Sequence, residues 1–174
     1  DFCLSRGLGD VYKRQMMGKV LGYDNRLLIG VVAGSIFIAS TIGQFLQGAL
    51  PLRLRLPLGC VSLMLGVIPI ALGIYTQSLA LFITGAVIAG MGQGISFRAG
   101  MGAIASASPA TEKAAVTSAF FVVAYIAISV PVIGLGVMAT FTNLTTTGIT
   151  FAAVMGSLAA LALALLIRRE RAEA

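Results

Sequence analysis

The stretch LPLGCVSLMLGVIPIALGIYTQSLALFITGAVIAGMGQGISF, residues 56–97, contains no charged side chain. At about 1.5 Å per residue, a single helix of this length would be roughly twice as long as the ~30 Å hydrocarbon core of a bilayer is thick. The polar triplet Thr76-Gln77-Ser78 divides the stretch into two apolar halves. The stretch therefore predicts two membrane-spanning helices joined by a tight turn.

The flanking sequence follows the same pattern. An apolar run before the stretch ends at Pro51, and a second long charge-free run covers residues 114–167 with a polar break at 140–148. Ser108 and Pro109 are predicted to be the N-cap and the first position of the fourth helix. The fold class is therefore predicted as all-α, a polytopic transmembrane helix bundle. Its five spans are predicted at residues 27–50, 57–75, 79–105, 115–139 and 149–167.

Composition supports a membrane protein over a soluble one. Charged residues make up 10 % of the chain, hydrophobic residues 58 %, and the mean hydropathy is +0.99. A soluble domain carries about 25 % charged residues, so we expect the lipid bilayer to cover the apolar surface. The net charge of +6 does not predict nucleic-acid binding, because most charges lie at the borders of apolar runs.

Catalytic and metal-binding residue types are scarce. The chain has two cysteines and no histidine, so it lacks the ligand set of a structural zinc site and the Ser-His or Cys-His pairs of nucleophilic enzymes. We therefore expect no enzyme activity, no metal and no cofactor.

The first fifteen residues, DFCLSRGLGDVYKRQ, differ from the rest of the chain because they show no apolar period. Residues 10–15 resemble the translation of a transposon end used as a sequencing adapter. A natural polar arm is the alternative. We expect residues 1–15 to be adapter-derived and residues 16–174 to be a gene-derived transmembrane domain that is truncated at its start.

Orientation follows from the basic residues in the short loops. The side that holds the C-terminus carries Arg53, Arg55, Lys113, Arg168, Arg169 and Arg171, whereas the opposite side carries only Lys19 and Arg26. The C-terminus is therefore predicted to be cytoplasmic.

Polar residues inside the spans indicate which helices face protein. Spans one, three and four carry them and are predicted to face inward, while spans two and five are predicted to be peripheral. In span one these residues include Gln44, in span three Gln93, and in span four Tyr125. The two glutamines could be hydrogen-bond partners between helices or ligand contacts.

Span three also carries a small-residue ridge and an arginine. Gly90 and Gly94 form a GxxxG pair that Ala86 extends by one turn, which predicts close helix packing; flexibility of a central helix is the alternative. Arg98 is costly within a span. It is predicted either to bind or gate, or to serve as a snorkelling anchor or structural ion pair.

Residues 85–94, GAVIAGMGQG, the loop SPATEK at 108–113 and the helix with Pro131 and Gly134 resemble part of a known family. They are similar to the tenth helix, the next cytoplasmic loop and the eleventh helix of major facilitator superfamily transporters. The resemblance covers residues 22–169 and implies that the five spans are helices eight to twelve. In that family helices nine and twelve are peripheral and helix ten lines the cavity.

The resemblance implies a fragment of a secondary active transporter that moves a small solute across the bacterial cytoplasmic membrane by alternating access, including drug or metabolite efflux. Gln44, Gln93, Arg98 and Tyr125 would line the substrate pathway. The missing N-terminal half of the same protein would be the partner. A non-transporting polytopic scaffold or receptor subunit is the alternative, and a membrane enzyme is disfavoured because no span contains Asp, Glu or His.

Overall fold

The structure, a computed structural model, describes residues 26–173. It contains five long helices, and no strand occurs in this part of the chain. The helices are α1 (Arg26–Leu46), α2 (Leu52–Tyr75), α3 (Leu79–Ala107), α4 (Lys113–Phe141) and α5 (Leu144–Glu173), with a 3₁₀ turn at Gln47–Ala49 after α1. All five are long and apolar enough to cross a membrane. The prediction of an all-helical chain with five candidate spans is confirmed, while the prediction for residues 1–15 lies outside the described residues.

Two helices begin earlier than the polar residues of the sequence predict. α2 starts at Leu52 and therefore includes Arg53, Arg55 and Pro57. α5 starts at Leu144, because the Asn143 side-chain Oδ1 accepts a hydrogen bond from the backbone N–H of Thr146 at 2.7 Å. This side-chain oxygen caps the helix, so the threonines that predict a loop form the first turn.

The connection between α3 and α4 also differs from its prediction. Ser108 does not cap the start of α4. It is the residue that ends α3, and its hydroxyl donates to the carbonyl of Ile104 at 2.8 Å. A turn closed by the Glu112 N–H and the Pro109 carbonyl, at 3.0 Å, precedes α4 at Lys113. The serine hydroxyl therefore bonds to the carbonyl four residues earlier in α3 instead of capping α4. A serine before a proline can make either hydrogen bond, so the sequence does not distinguish the two.

Four of the helices pack as a row in the order α1, α3, α2, α5. α3 packs extensively against both α1 and α2, and α2 packs on its other side against α5. α4 makes few contacts, which are with α3 and α5, and none of its residues is buried. The prediction that span two is peripheral is therefore wrong within this chain, because α2 lies between two neighbours.

Glycines at seven-residue spacing form the α2–α3 interface. Gly59, Gly66 and Gly73 of α2 lie against Ser96, Ala89 and Phe82 of α3, respectively. Residue numbers rise along α2 as they fall along α3, so the two helices are antiparallel. A Cβ atom on Gly73 would lie 2.6 Å from the Phe82 backbone nitrogen. Close backbone approach at small residues is how membrane helices gain contact without a hydrophobic driving force. The polar residues of the sequence did not predict the α2–α3 interface, because the face of α2 that forms it is marked by regularly spaced glycines and not by polar side chains.

The α1–α3 interface uses the opposite side of α3. Gly94 lies against the backbone of Ser40, and a Cβ atom on Gly90 would lie 2.8 Å from the Ile36 carbonyl oxygen. Ile36 lies beside Gly90, and further along both helices Gln47 borders the same cleft as Arg98, so α1 and α3 are parallel. Ala86 is also buried. The three small residues singled out in the sequence thus lie on the helix that packs against two others.

Candidate functional site

The polar residues of α1 and α3 meet at one point within the bundle. The Ser40 hydroxyl donates a hydrogen bond to Gln93 Oε1 at 2.7 Å. Ser40 is only 8 % exposed, whereas Gln93 is exposed. The glutamine therefore satisfies a buried hydroxyl and still presents part of its amide outside the helix row.

A second polar site lies where α1 ends and α2 begins. We call it the arginine cleft, an open cleft of about 390 Å³ bordered by Gln47, Gly48, Arg55, Arg98, Met101, Gly102, Ala105 and Thr117. Residues from the 3₁₀ turn, α2, α3 and α4 contribute to it. Two guanidinium groups border one cleft, and none of the described residues that line it is acidic.

Arg98 enters the cleft from α3. It lies nine residues before the end of the helix at Ala107, which places its Cα about 13 Å from that end. Its side chain is exposed, and within the described part of the chain it has no salt bridge or hydrogen bond. Gln47, Arg55 and Thr117 are the polar neighbours of this charge in the cleft.

Arg55 enters the cleft from the first turns of α2. Its Nε–H donates to the Leu50 carbonyl at 2.9 Å, in the link between the 3₁₀ turn and α2. This bond uses one of the five donors of the guanidinium and orients the remaining four. Gln47, 5 % exposed, lies at the start of the 3₁₀ turn and adds an amide to the same cleft.

The structure does not bring the four predicted pathway residues together. Gln93 and Arg98 are five residues apart on one helix, so they point about 140° apart around its axis. Gln44 is half-buried and does not line the arginine cleft. Tyr125, on α4, is 68 % exposed and is also outside the cleft. Only Arg98 of the four therefore belongs to a cleft with other charged residues.

α4 is attached to the bundle close to this site. Phe97 of α3 packs against Phe120 and Phe121 of α4, with ring centroids 5.5 and 6.1 Å apart. Thr117, one turn earlier, borders the arginine cleft. The α3–α4 contact that includes these rings therefore sets the outer wall of the cleft, while Tyr125 lies further along α4.

A second cleft of about 510 Å³ lies among α2, α3 and α5 and is almost entirely apolar. Cys60 and Ser96 border it, and Arg169 is at its edge. The Ser96 hydroxyl is buried with no hydrogen-bond partner among the described residues. In the described part of the chain, no group of three or more acidic, cysteine or histidine residues could hold a metal ion.

Sequence reasoning missed two members of the arginine cleft. Arg55 was predicted to lie in the short loop after span one, yet α2 already includes it. Gln47 was predicted to lie within span one at residues 27–50, but it begins the 3₁₀ turn that follows α1 and borders the cleft. The signal that could have found both is the short link Leu50-Pro51, since a proline precedes a helix start easily.

Comparison with protein-family models, with curated proteins and with solved structures gives no significant match. The assignment that the chain itself supports is a multi-pass membrane protein with five helices able to span a bilayer.

Proposed function

We propose that the chain is part of a secondary active transporter, the C-terminal half of a major facilitator type protein, in the bacterial cytoplasmic membrane. The parent protein would move a small solute by alternating access, with two halves rocking about a site between them. The observation that carries the proposal is Arg98, a charge inside a span that opens into a cleft where four elements meet.

An intramembrane arginine is stable only with water, a partner or a ligand. Insertion of arginine at mid-span costs about 2.5–3.5 kcal/mol, which is why such residues usually face a bundle interior or a water-filled cavity. Arg98 borders a cleft together with Arg55 and Gln47. The second guanidinium and the amide in this cleft are polar neighbours that a solute pathway would use.

The uncovered faces support a partner half. Along α4 the side chains of Tyr125, Ser118 and Ser129 are exposed. Gln93 also presents its amide outside the helix row. Polar groups facing hydrocarbon are costly, so we propose that a second group of helices covers them in the complete protein. Gln44, Gln93 and Tyr125 would then line the pathway from the side that this half covers.

A rigid scaffold is the second candidate, and the glycine contacts of α1, α2 and α3 favour it. They bring backbones into direct contact, as a static assembly requires. The upstream reading frame separates the two functions. A transporter predicts about seven further spans before Met16, with a related helix pattern, whereas a soluble sensor domain there would favour the scaffold.

The direct test is transport by the complete protein. Solutes accumulated or expelled by cells that express it are first identified, and their flux is then measured in membrane vesicles. We expect Arg98→Ala to reduce flux at least tenfold, while Arg53→Ala, two residues before Arg55 and outside the cleft, leaves flux unchanged. Undiminished flux in Arg98→Ala, at equal expression, would exclude Arg98 from the pathway.

A further inference from the structure

The charge distribution of the arginine cleft points to a ligand. Arg55 and Arg98 are both cationic, they border the same cleft, and no acidic side chain is among its described lining residues. Two cations that border one cleft repel each other. A bound anion would remove this repulsion, so the cleft has the electrostatics of an anion site.

The donors available in the cleft fit a group with several acceptor oxygens. Arg55 is held by one bond to Leu50, which leaves its two terminal nitrogens for a ligand. Arg98 has all its donors available within the described part of the chain. The Gln47 amide, in the same cleft, adds a neutral donor. Guanidinium groups bind phosphate oxygens in bidentate pairs, and two of them with an amide match a phosphate group.

The place of the cleft fits the same ligand. Gln47 and Gly48 lie at the end of α1 and Arg55 in the first turns of α2, on either side of Pro51. Helix ends of spanning segments lie at the headgroup level of the membrane. The volume of about 390 Å³ lies within the range of small-molecule sites.

We propose that the arginine cleft binds a phosphate-bearing anion, held by Arg55, Arg98 and Gln47, with the headgroup of an anionic phospholipid as the source that its position favours. This inference does not rest on transport, because it concerns binding at the end of α1 and can be measured in a protein that moves nothing. A soluble phosphate compound has the same chemistry, and the experiment below separates the two sources.

The test is lipid and phosphate binding by the full chain purified in detergent. Phosphatidylglycerol, phosphatidylcholine and inorganic phosphate are each titrated, and bound ligand is counted by native mass spectrometry. We expect phosphatidylglycerol to bind about tenfold more tightly than phosphatidylcholine, a difference of about 1.4 kcal/mol. Saturable binding of inorganic phosphate with no preference among lipids would support the phosphate site and assign it to a soluble compound.

Matched variants locate the site. Arg55→Gln and Arg98→Gln should each weaken phosphatidylglycerol binding about tenfold, while Arg53→Gln, an exposed arginine outside the cleft, should leave it unchanged. Equal weakening by all three would show general attraction between charges and would overturn the proposal. So would wild-type protein that binds neither phosphatidylglycerol nor phosphate in preference to phosphatidylcholine.

Folding is controlled separately. Helical content by circular dichroism and elution as a single species are required of each variant. Arg55→Lys and Arg98→Lys keep the charge but lose the planar fork, so they should fold and retain part of the affinity. If both lysine variants bound phosphatidylglycerol as tightly as the wild type, positive charge alone would explain the binding. That result would contradict bidentate hydrogen bonding by the arginines.

Discussion

Individual glycines decide how closely the helices of this chain approach. Gly94 lies against the Ser40 backbone, where a methyl group has no room, whereas Gly100 on the same helix has nothing within 4 Å of a Cβ position. The same residue type thus has two different roles on α3. At Gly94 a side chain would collide with the Ser40 backbone. A backbone cannot rotate away as a flexible side chain can, so this position requires glycine.

Gly94→Ala should therefore destabilise the bundle and Gly100→Ala should not. Overpacking against backbone costs about 1–3 kcal/mol, whereas alanine at an open helical position gains up to about 1 kcal/mol over glycine. Thermal unfolding of the two variants in the same detergent measures the difference. Equal melting temperatures would show that the α1–α3 contact is looser than described.

The hydrogen bond between Ser40 and Gln93 should be worth little on its own. Measured side-chain hydrogen bonds between membrane helices average about 0.6 kcal/mol. A double-mutant cycle with Ser40→Ala and Gln93→Leu should give a coupling energy near that value.

Thr84 provides the control for this cycle, because its hydroxyl bonds to Ala80 within its own helix at 2.8 Å. Ser40→Ala combined with Thr84→Val should be additive, since the two sites share no partner. A Ser40–Gln93 coupling no larger than that of the control pair would show that the bond does not join the helices.

At the scale of elements, the helices differ sharply in how much of the bundle depends on them. α3 has seven buried residues between Gly85 and Ala99, including Ile95 at 8 % exposure. α4 has none, and Ile126 near its middle is 58 % exposed. Because lipid is as apolar as the side chains it contacts, an uncovered isoleucine adds little to helix association.

Truncation of the two isoleucines tests this contrast. Ile95→Ala should lower the free energy of unfolding by about 2 kcal/mol or more, as buried isoleucine truncations do. Ile126→Ala should change it by less than about 0.5 kcal/mol. Unfolding in mixed detergent micelles measures both. A comparable loss for Ile126→Ala would mean that α4 has a partner not accounted for by α3 and α5.

At the scale of the whole molecule, we predict that the two ends of the described chain lie on opposite sides of the membrane, because it has five helices able to cross one. The excess of basic residues in the loops on the C-terminal side predicts that this side is cytoplasmic. Ala110, in the α3–α4 connection, and Asn143, between α4 and α5, are both exposed and lie in consecutive connections. If α4 crosses the membrane, these two residues face opposite compartments.

Thiol labelling of intact cells tests the orientation. In a variant with Cys3 and Cys60 replaced by alanine, Asn143→Cys should react with a membrane-impermeant maleimide added outside. Ala110→Cys should react only after the membrane is permeabilised. The reverse pattern would invert the topology, and labelling of both from outside would contradict a span at α4.

The sequence predicted the polar residues of α3 at this site but not the residues that other elements bring to it. Arg98 and Gln93 stand out in the sequence because a charge and an amide interrupt a long apolar run. Their separation by five residues already excludes a common direction on one helix. The companions of Arg98 were not predictable, because Gln47 and Arg55 reach it only through the 3₁₀ turn at Gln47–Ala49 and the early start of α2.

The sequence by itself determined that this is an all-helical chain with five segments able to span a membrane, because a spanning segment of about twenty residues carries few charges and leaves no backbone group unpaired. Only the tertiary structure decided the order of the row, with α2 between α3 and α5. Polarity marks which side chains avoid lipid, but apolar neighbours and lipid attract a helix about equally. The choice of neighbour therefore depends on where glycine spacings on two helices match in space, as Gly59, Gly66 and Gly73 match α3.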